Sequence, residues 1–165
     1  MIRNDNRGIS LVEVLLVISI LALFASGGIS LYRQLSHADC KRAAARIQTA
    51  MEEVRMETIS RGRKPYLYLY QLEGTYYLKK CMESNPTAAK LDAASGNRIS
   101  EKLSLSYQLT ASAEVVLEEG KVLQISFHRG SGSFDQDLER IILRSSEFTT
   151  EIVCVPETGR HWVEQ

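Results

Sequence analysis

The first apolar positions of the chain form one long run. From Ile9 to Leu31 the only charged residue is Glu13, near the start. A helix rises about 1.5 Å per residue, so this run is long enough for the roughly 30 Å hydrocarbon core of a bilayer. The pattern therefore predicts a transmembrane helix over residues 9–31. Arg3 and Arg7 precede it, and the positive-inside rule places that short end in the cytoplasm.

This topology makes the protein a single-pass component of the cell (inner) membrane. The part of the chain after the apolar run would then lie in the periplasm or outside the cell.

The helical pattern continues beyond the apolar run. Apolar or small residues recur at spacings near three and four, which predicts an amphipathic continuation of the helix over 32–60. The stripe consists of Leu35, Ala44, Ile47, Met51, Val54 and Thr58. Gly62 and Pro65, among basic residues, predict the end of the helix. We expect the stripe to pack on a sheet.

After Pro65 the period of the apolar positions changes to two, as in half-buried strands. The predicted strands are Tyr66–Tyr70, Thr75–Leu78, Leu103–Leu109, Val115–Leu117, Lys121–Phe127, Ile141–Leu143 and Glu151–Val155. Residues 82–100 show no clear period and are predicted to be irregular. Residues 61–165 are therefore expected to form an extracytoplasmic, β-rich globular domain.

The sequence thus predicts an α+β fold. A long N-terminal helix, membrane-spanning in its first half and amphipathic in its second, would pack on an antiparallel β-sheet. At 165 residues the chain has room for one ordinary domain besides the anchor.

The charge of the chain does not favour a nucleic-acid partner. Twenty Lys and Arg residues balance twenty Asp and Glu residues. A neutral chain lacks the global positive field that draws proteins non-specifically to nucleic acid.

Three cysteines, Cys40, Cys81 and Cys154, allow three pairings, each of which leaves one thiol free. None has the short spacing expected of a zinc site. In an oxidising compartment a disulfide between Cys81 and Cys154 is favoured, because both lie in predicted strands whereas Cys40 lies in the predicted helix.

Other candidate chemistry is sparse. His37, His128 and His161 lack the spacing of a metal pair and are predicted at the surface or at interfaces. Gly130–Ser133 is expected to form a hairpin turn, and the tyrosines within Tyr66–Tyr77 are expected to pack across strands. No catalytic motif, metal site or cofactor site is predicted, and we expect no enzymatic activity.

The segment Arg7-Gly8-Ile9-Ser10-Leu11-Val12-Glu13 closely resembles the processing site of type IV pilins and pseudopilins. The resemblance implies that a membrane prepilin peptidase removes a leader, residues 1–8, by cleaving after Gly8. It also implies that the peptidase methylates the new amine of Ile9. A pilin-like fold is implied, with the membrane, other pilin or pseudopilin subunits and an assembly platform protein as further partners.

Glu13 has two interpretations. A carboxylate in lipid costs about 2.5–3.5 kcal/mol on insertion scales. The resemblance implies that Glu13 serves subunit assembly by pairing with the amine of Ile9 in a neighbouring subunit, which would set the axial register. Alternatively, Glu13 lies only about 6 Å along the helix from Ile9 and reaches the headgroups without a partner.

A looser pattern follows in the second half of the chain. Ile125–Gly130, Ile141–Leu143, Ile152–Val155 and Thr158–Arg160 resemble the C-terminal sheet of minor pseudopilins of the GspH/FimT type. Ordinary hairpins explain this pattern equally well.

Together these features predict a minor pilin or pseudopilin in a type II secretion or type IV pilus-like filament. One alternative is a secreted or signal-anchored binding domain, cut by signal peptidase near Ala25–Gly27. Another is a competence pseudopilin that takes part in DNA uptake.

Overall fold

The protein is described by a computed structural model, which covers residues 11–146 and 148–164 and gives the backbone alone for residues 25–35. The chain divides into two units, residues 1–35 and residues 36–165. The helix α1 spans Leu11–Arg61. Within the described residues, no helix is both long and apolar enough to cross a membrane. The span predicted over 9–31 begins outside this part of the chain.

The part of α1 that belongs to the second unit is amphipathic, as predicted. Its buried residues are Cys40, Ala43, Ala44, Ile47, Met51, Val54 and Thr58. The Thr58 hydroxyl donates a hydrogen bond of 2.7 Å to the carbonyl of Val54, which satisfies a polar group inside the core. The helix ends at Arg61, and Gly62 follows with a φ of 61°, a left-handed conformation that suits glycine.

Nine strands follow the helix. They are β1 Tyr66–Leu72, β2 Thr75–Cys81, β3 Asn97–Ser100, β4 Ser104–Leu109, β5 Val115–Val116, β6 Val122–Ile125, β7 Leu138–Arg144, β8 Thr149–Val155 and β9 Arg160–Glu164. All seven predicted strands are confirmed, whereas β3 and β9 were missed. The expected single sheet is instead two antiparallel sheets, of order β3-β2-β1-β6 and β5-β4-β7-β8-β9.

One large core holds the second unit together. It joins the buried stripe of α1 to residues from both sheets, such as Leu69, Ile125, Ile141 and Ile152. The predicted packing of the helical stripe on a sheet is therefore confirmed, and it involves two sheets rather than one. Burial of this apolar surface is the main stabilising contribution to the fold.

A smaller cluster is built around two tyrosines of β1. The Tyr68 hydroxyl donates a hydrogen bond of 2.7 Å to the Glu83 carbonyl, and the Tyr70 hydroxyl donates one of 2.8 Å to the Asp92 carbonyl. Burial raises the pKa of each tyrosine to about 12, so both hydroxyls stay protonated donors. Tyr70 also stacks on Tyr77, which confirms the predicted cross-strand packing.

A lysine of β2 forms hydrogen bonds with the segment that was predicted to be irregular. The Lys79 ammonium donates hydrogen bonds to the carbonyls of Ala89 and Lys90, at 2.7 and 2.8 Å, and to the Ser95 hydroxyl at 2.6 Å. All three ammonium protons thus have acceptors in this segment. The segment is irregular but fixed, and it runs directly into β3.

Candidate processing and assembly site

Glu13 lies in the first described turn of α1 and is exposed. Gly8 and Ile9, the predicted cleavage and methylation positions, lie outside the described residues. The structure therefore places one of the three residues predicted for processing and assembly, and the pairing of Glu13 with an Ile9 amine stays a prediction.

The helix around Glu13 exposes an almost wholly apolar surface. Its exposed large side chains are Leu11, Val12, Val14, Leu15, Leu16, Val17, Ile18, Ile20, Leu21, Leu23 and Phe24. The exposed fraction reaches 78% at Leu11 and 76% at Phe24. A helix that is apolar all round belongs in lipid or among other helices, and so large an apolar patch marks an interaction surface.

The polar side chain inside this apolar stretch is satisfied by its own helix. The Ser19 hydroxyl donates a hydrogen bond of 2.7 Å to the carbonyl of Leu15. A hydroxyl paired in this way needs no external partner in an apolar environment. Glu13 differs, because a carboxylate has no proton to donate and cannot bond a helix carbonyl in this manner.

The comparison with protein families agrees with this geometry. Residues 3–29 match the prokaryotic N-terminal methylation motif. This motif indicates a type IV pilin-like, prepilin-type protein. The matched range contains Gly8, Ile9 and Glu13 and stops before the β-rich unit. No curated protein and no solved structure matches the chain.

The motif implies that a prepilin peptidase processes this protein and that pilin-type subunits are its partners in general. It also indicates a membrane-anchored precursor. The match leaves the GspH/FimT-like pattern of the C-terminal strands untested, since that pattern lies outside residues 3–29.

The structure does not bring the predicted disulfide pair together. All three cysteines are free thiols. Cys81 packs on the small tyrosine cluster, whereas Cys154 is buried in the main core, where burial raises its pKa to about 12. Both residues do lie in strands, but the strands belong to different sheets and place the thiols in separate clusters. The predicted Cys81–Cys154 disulfide is therefore not formed.

Two turns in the C-terminal half of the chain, one containing Gly132 and the other Thr158, contact the same arginine of α1. The Arg55 guanidinium donates hydrogen bonds to the carbonyl of Gly132, at 3.1 Å, and to that of Thr158, at 3.3 Å. Gly132 and Gly159 have φ angles of 67° and 66°, and Gly159 packs directly against the backbone of Gly132. The predicted hairpin turn is thus docked on the helix. Sequence reasoning missed Arg55, because it lies off the apolar stripe.

His161 is the histidine with the most structured surroundings. Its side chain is 1% exposed, with Nδ1 3.0 Å from the Gly159 carbonyl oxygen and Nε2 3.3 Å from that of Gln48 on α1. It therefore lies at the internal interface between the helix and β9. His128 is exposed, and His37 packs on the ring of Phe148.

An ion pair on the second sheet provides a test of stability against pH. The Arg144 guanidinium makes two hydrogen bonds to the Glu114 carboxylate and a third, of 3.2 Å, to the Ser106 hydroxyl. The hydrogen bonds from Arg144 and Ser106 lower the pKa of Glu114 from 4.5 to about 2. The Glu114 side chain is 33% exposed, so solvent screening keeps the contribution of the pair to stability modest.

We expect the Glu114 contribution to be fully present above pH 4.5 and to be lost as the pH falls towards 2. The unfolded chain binds the proton first, so acid favours unfolding. Urea denaturation of wild type and Glu114→Gln across this range measures the effect. Wild type should lose more free energy of unfolding than Glu114→Gln. The control Glu157→Gln, at an exposed turn position, should follow wild type; equal losses in all three proteins would contradict the assignment.

Proposed function

We propose that this protein is a minor pilin or pseudopilin, a structural subunit of a type II secretion or type IV pilus-like filament. The observation that carries the proposal is the coincidence of three features in one segment. These are the methylation motif over residues 3–29, the exposed apolar helix and the single carboxylate of Glu13 near its start. In this role the subunit performs no catalysis.

The precursor is held by its apolar run in the cell (inner) membrane, with a cytoplasmic N-terminus. The basic residues Arg3 and Arg7 support this orientation. The β-rich unit then lies on the opposite side of the membrane, in the periplasm or outside the cell. The assembly platform protein and other pilin or pseudopilin subunits are its partners there and in the bilayer.

Processing creates the charge that Glu13 needs. Hydrolysis of the peptide bond between Gly8 and Ile9 by prepilin peptidase releases residues 1–8 and frees the amine of Ile9. A methylated aliphatic amine remains protonated and positive near neutral pH. When one subunit enters the filament, its Glu13 carboxylate meets the Ile9 amine of a neighbour. Pairing offsets the cost of each charge in the apolar interior and fixes the axial position of the new subunit.

The mature N-terminus tests the proposal. Mass spectrometry of protein purified from membranes should show Ile9 as the first residue, carrying one methyl group. Gly8→Val should leave the leader attached. The control Ala25→Leu, which alters the alternative signal peptidase site, should be processed like wild type. A mature chain that starts near Gly28 would instead identify a secreted domain and would overturn the proposal.

A further inference from the structure

The last strand of the second sheet has an open edge. β9, Arg160–Glu164, pairs in register with β8 along its whole length. In the described part of the chain β8 is its one strand neighbour, because the sheet has the order β5-β4-β7-β8-β9. Alternate residues of an edge strand direct their N–H and C=O groups away from the sheet. β9 can therefore pair with one further strand.

The outer face of β9 carries three large side chains. Successive side chains of a strand point to opposite faces, and those of His161 and Val163 are turned towards the interior. Arg160, Trp162 and Glu164 are exposed. Trp162 is the one tryptophan of the chain, and 45% of it is exposed. Tryptophan is enriched among the residues that dominate binding at protein interfaces, so this face has the character of a contact surface.

The two charged residues of this face have no counter-ion within the unit. Arg160 and Glu164 are four residues apart, about 13 Å along a strand, which is too far for an ion pair between them. Among the described residues, neither side chain pairs with a group of opposite charge. Glu164 instead faces the carboxylate of Glu151 across the strand pair, and Glu151 pairs with Arg140. Like charges opposite each other repel, so an additional cation beside Glu164 would be favourable.

The order of these side chains makes β9 complementary to itself. A cation stands at one end of the strand, an anion at the other and the indole at the centre. When two such strands run antiparallel and are centred on Trp162, Arg160 of each copy faces Glu164 of the other. Trp162 then faces its own symmetry mate. Opposite charges and aromatic rings that face each other across strands both stabilise the pair.

We propose that β9 binds β9 of a second copy of this chain as an antiparallel strand pair, with a two-fold axis at Trp162. The second sheets of the two copies thereby join edge to edge into one continuous sheet. Both copies use the same residues, so the contact is isologous and closes on itself. It makes a dimer and not a chain of subunits. The inference goes beyond the proposed function, because it involves neither the leader nor Glu13.

The choice of a second copy, and of this register, follows from charge. Charged side chains on an edge strand discourage pairing with unrelated strands. A parallel pair of two copies in register would set arginine against arginine and glutamate against glutamate. An antiparallel pair shifted by two residues would set Trp162 against a charged residue and would break both ion pairs. The centred antiparallel pair is the arrangement that satisfies both charges of both copies.

A charge exchange tests the pairing in the full-length protein. Two differently tagged copies are co-expressed and solubilised in mild detergent, and copurification of one with the other is measured. Arg160→Glu in both copies, or Glu164→Arg in both, creates two like-charge contacts in each dimer and should lower copurification by at least about tenfold. One Arg160→Glu copy with one Glu164→Arg copy should copurify like wild type, because both ion pairs are then restored with reversed sign.

Two controls accompany the charge exchange. Lys102→Glu in both copies reverses an exposed charge between β3 and β4, outside β9, and should have no effect. The series is repeated with Glu13→Ala in every copy, which removes the proposed filament contact, so that copurification then reports β9 alone. Recovery by the mixed pair also shows that neither variant has failed to fold.

Cysteine cross-linking tests the direction and the register. In a Cys81→Ser background the remaining native thiols, Cys40 and Cys154, are buried. Trp162→Cys should give a dimer of this chain upon oxidation, because residues that face each other in an antiparallel pair have Cα atoms about 4.5–5.5 Å apart, within reach of a disulfide. Arg160→Cys should give none, since its symmetry mate lies about 13 Å away along the strand.

Three outcomes would overturn the inference. They are copurification like wild type when both copies carry the same reversed charge, a dimer from Arg160→Cys, and an adduct of Trp162→Cys with a different protein in place of the second copy. In each case normal leader removal and a requirement for Glu13 in assembly would leave the proposed function standing. A retained leader or a dispensable Glu13 would contradict the proposed function and leave the β9 pair unaffected.

Discussion

Replacement of Glu13 by alanine is expected to leave membrane insertion intact and to reduce incorporation into the filament by at least about tenfold. Alanine favours the helix and removes the roughly 2.5–3.5 kcal/mol cost of a carboxylate in lipid, so the variant should insert at least as well as wild type. In the filament, however, the Ile9 amine of each neighbour would lose its counter-ion. Leaving one partner of a buried ion pair uncompensated costs about 3–5 kcal/mol.

The experiment compares two fractions of the same cells. Resistance to carbonate extraction measures insertion, and the amount of subunit in sheared or purified filaments measures incorporation. Glu13→Gln keeps the shape without the charge and should behave like Glu13→Ala. Ser19→Ala is the matched control, because the Ser19 hydroxyl bonds its own helix. Normal incorporation of Glu13→Ala would favour the alternative in which the carboxylate merely reaches the headgroups.

Replacement of Gly159 by alanine should strongly destabilise the β-rich unit. Gly159 has a φ of 66°, in a region that costs a residue with a Cβ about 1–2 kcal/mol. An added Cβ would also collide with the backbone of Gly132 and approach the Arg55 guanidinium. Backbone cannot move aside as the end of a flexible side chain can. We therefore expect a total loss of about 2–5 kcal/mol in the free energy of unfolding, in the range of left-handed strain plus overpacking.

Gly120→Ala separates the two contributions. Gly120 has a φ of 82°, but nothing lies within 4 Å of the position that its Cβ would occupy. Its replacement should lose only the cost of the left-handed backbone, about 1–2 kcal/mol. Urea denaturation of both variants measures the difference. If both lose the same free energy of unfolding, the contact between Gly159 and Gly132 does not constrain the fold.

The helix and most strands could be predicted because their apolar positions have a clear local period. The stripe through Ile47, Met51 and Val54 is buried, and the alternation from Tyr66 onwards is β1. β3 was missed because Asn97–Ser100 contains one apolar residue, Ile99. β9 was missed because Trp162, its largest apolar side chain, is exposed, so the expected alternation is obscured.

Contacts between residues far apart in the sequence could not be predicted from the local spacing of apolar residues. Alternation of apolar and polar residues predicts strands but does not show which strands pair. For this reason a single sheet was predicted, whereas the structure has two. The same limit explains the cysteines, since Cys81 and Cys154 both lie in strands but point into different clusters. The N-terminal motif, by contrast, does not depend on long-range contacts. Gly8, Ile9 and Glu13 lie close together in the sequence, and the family model matches this segment from the sequence alone, independently of the fold.

The ammonium of Lys79 occupies a ring of two carbonyls and one hydroxyl in the segment between β2 and β3. In many proteins a comparable ring of oxygens would hold a dissociable divalent ion. Here the cation is covalently part of the polypeptide, so dilution or a chelator cannot remove it. The order of this surface segment is consequently independent of the mineral content of the surrounding solution.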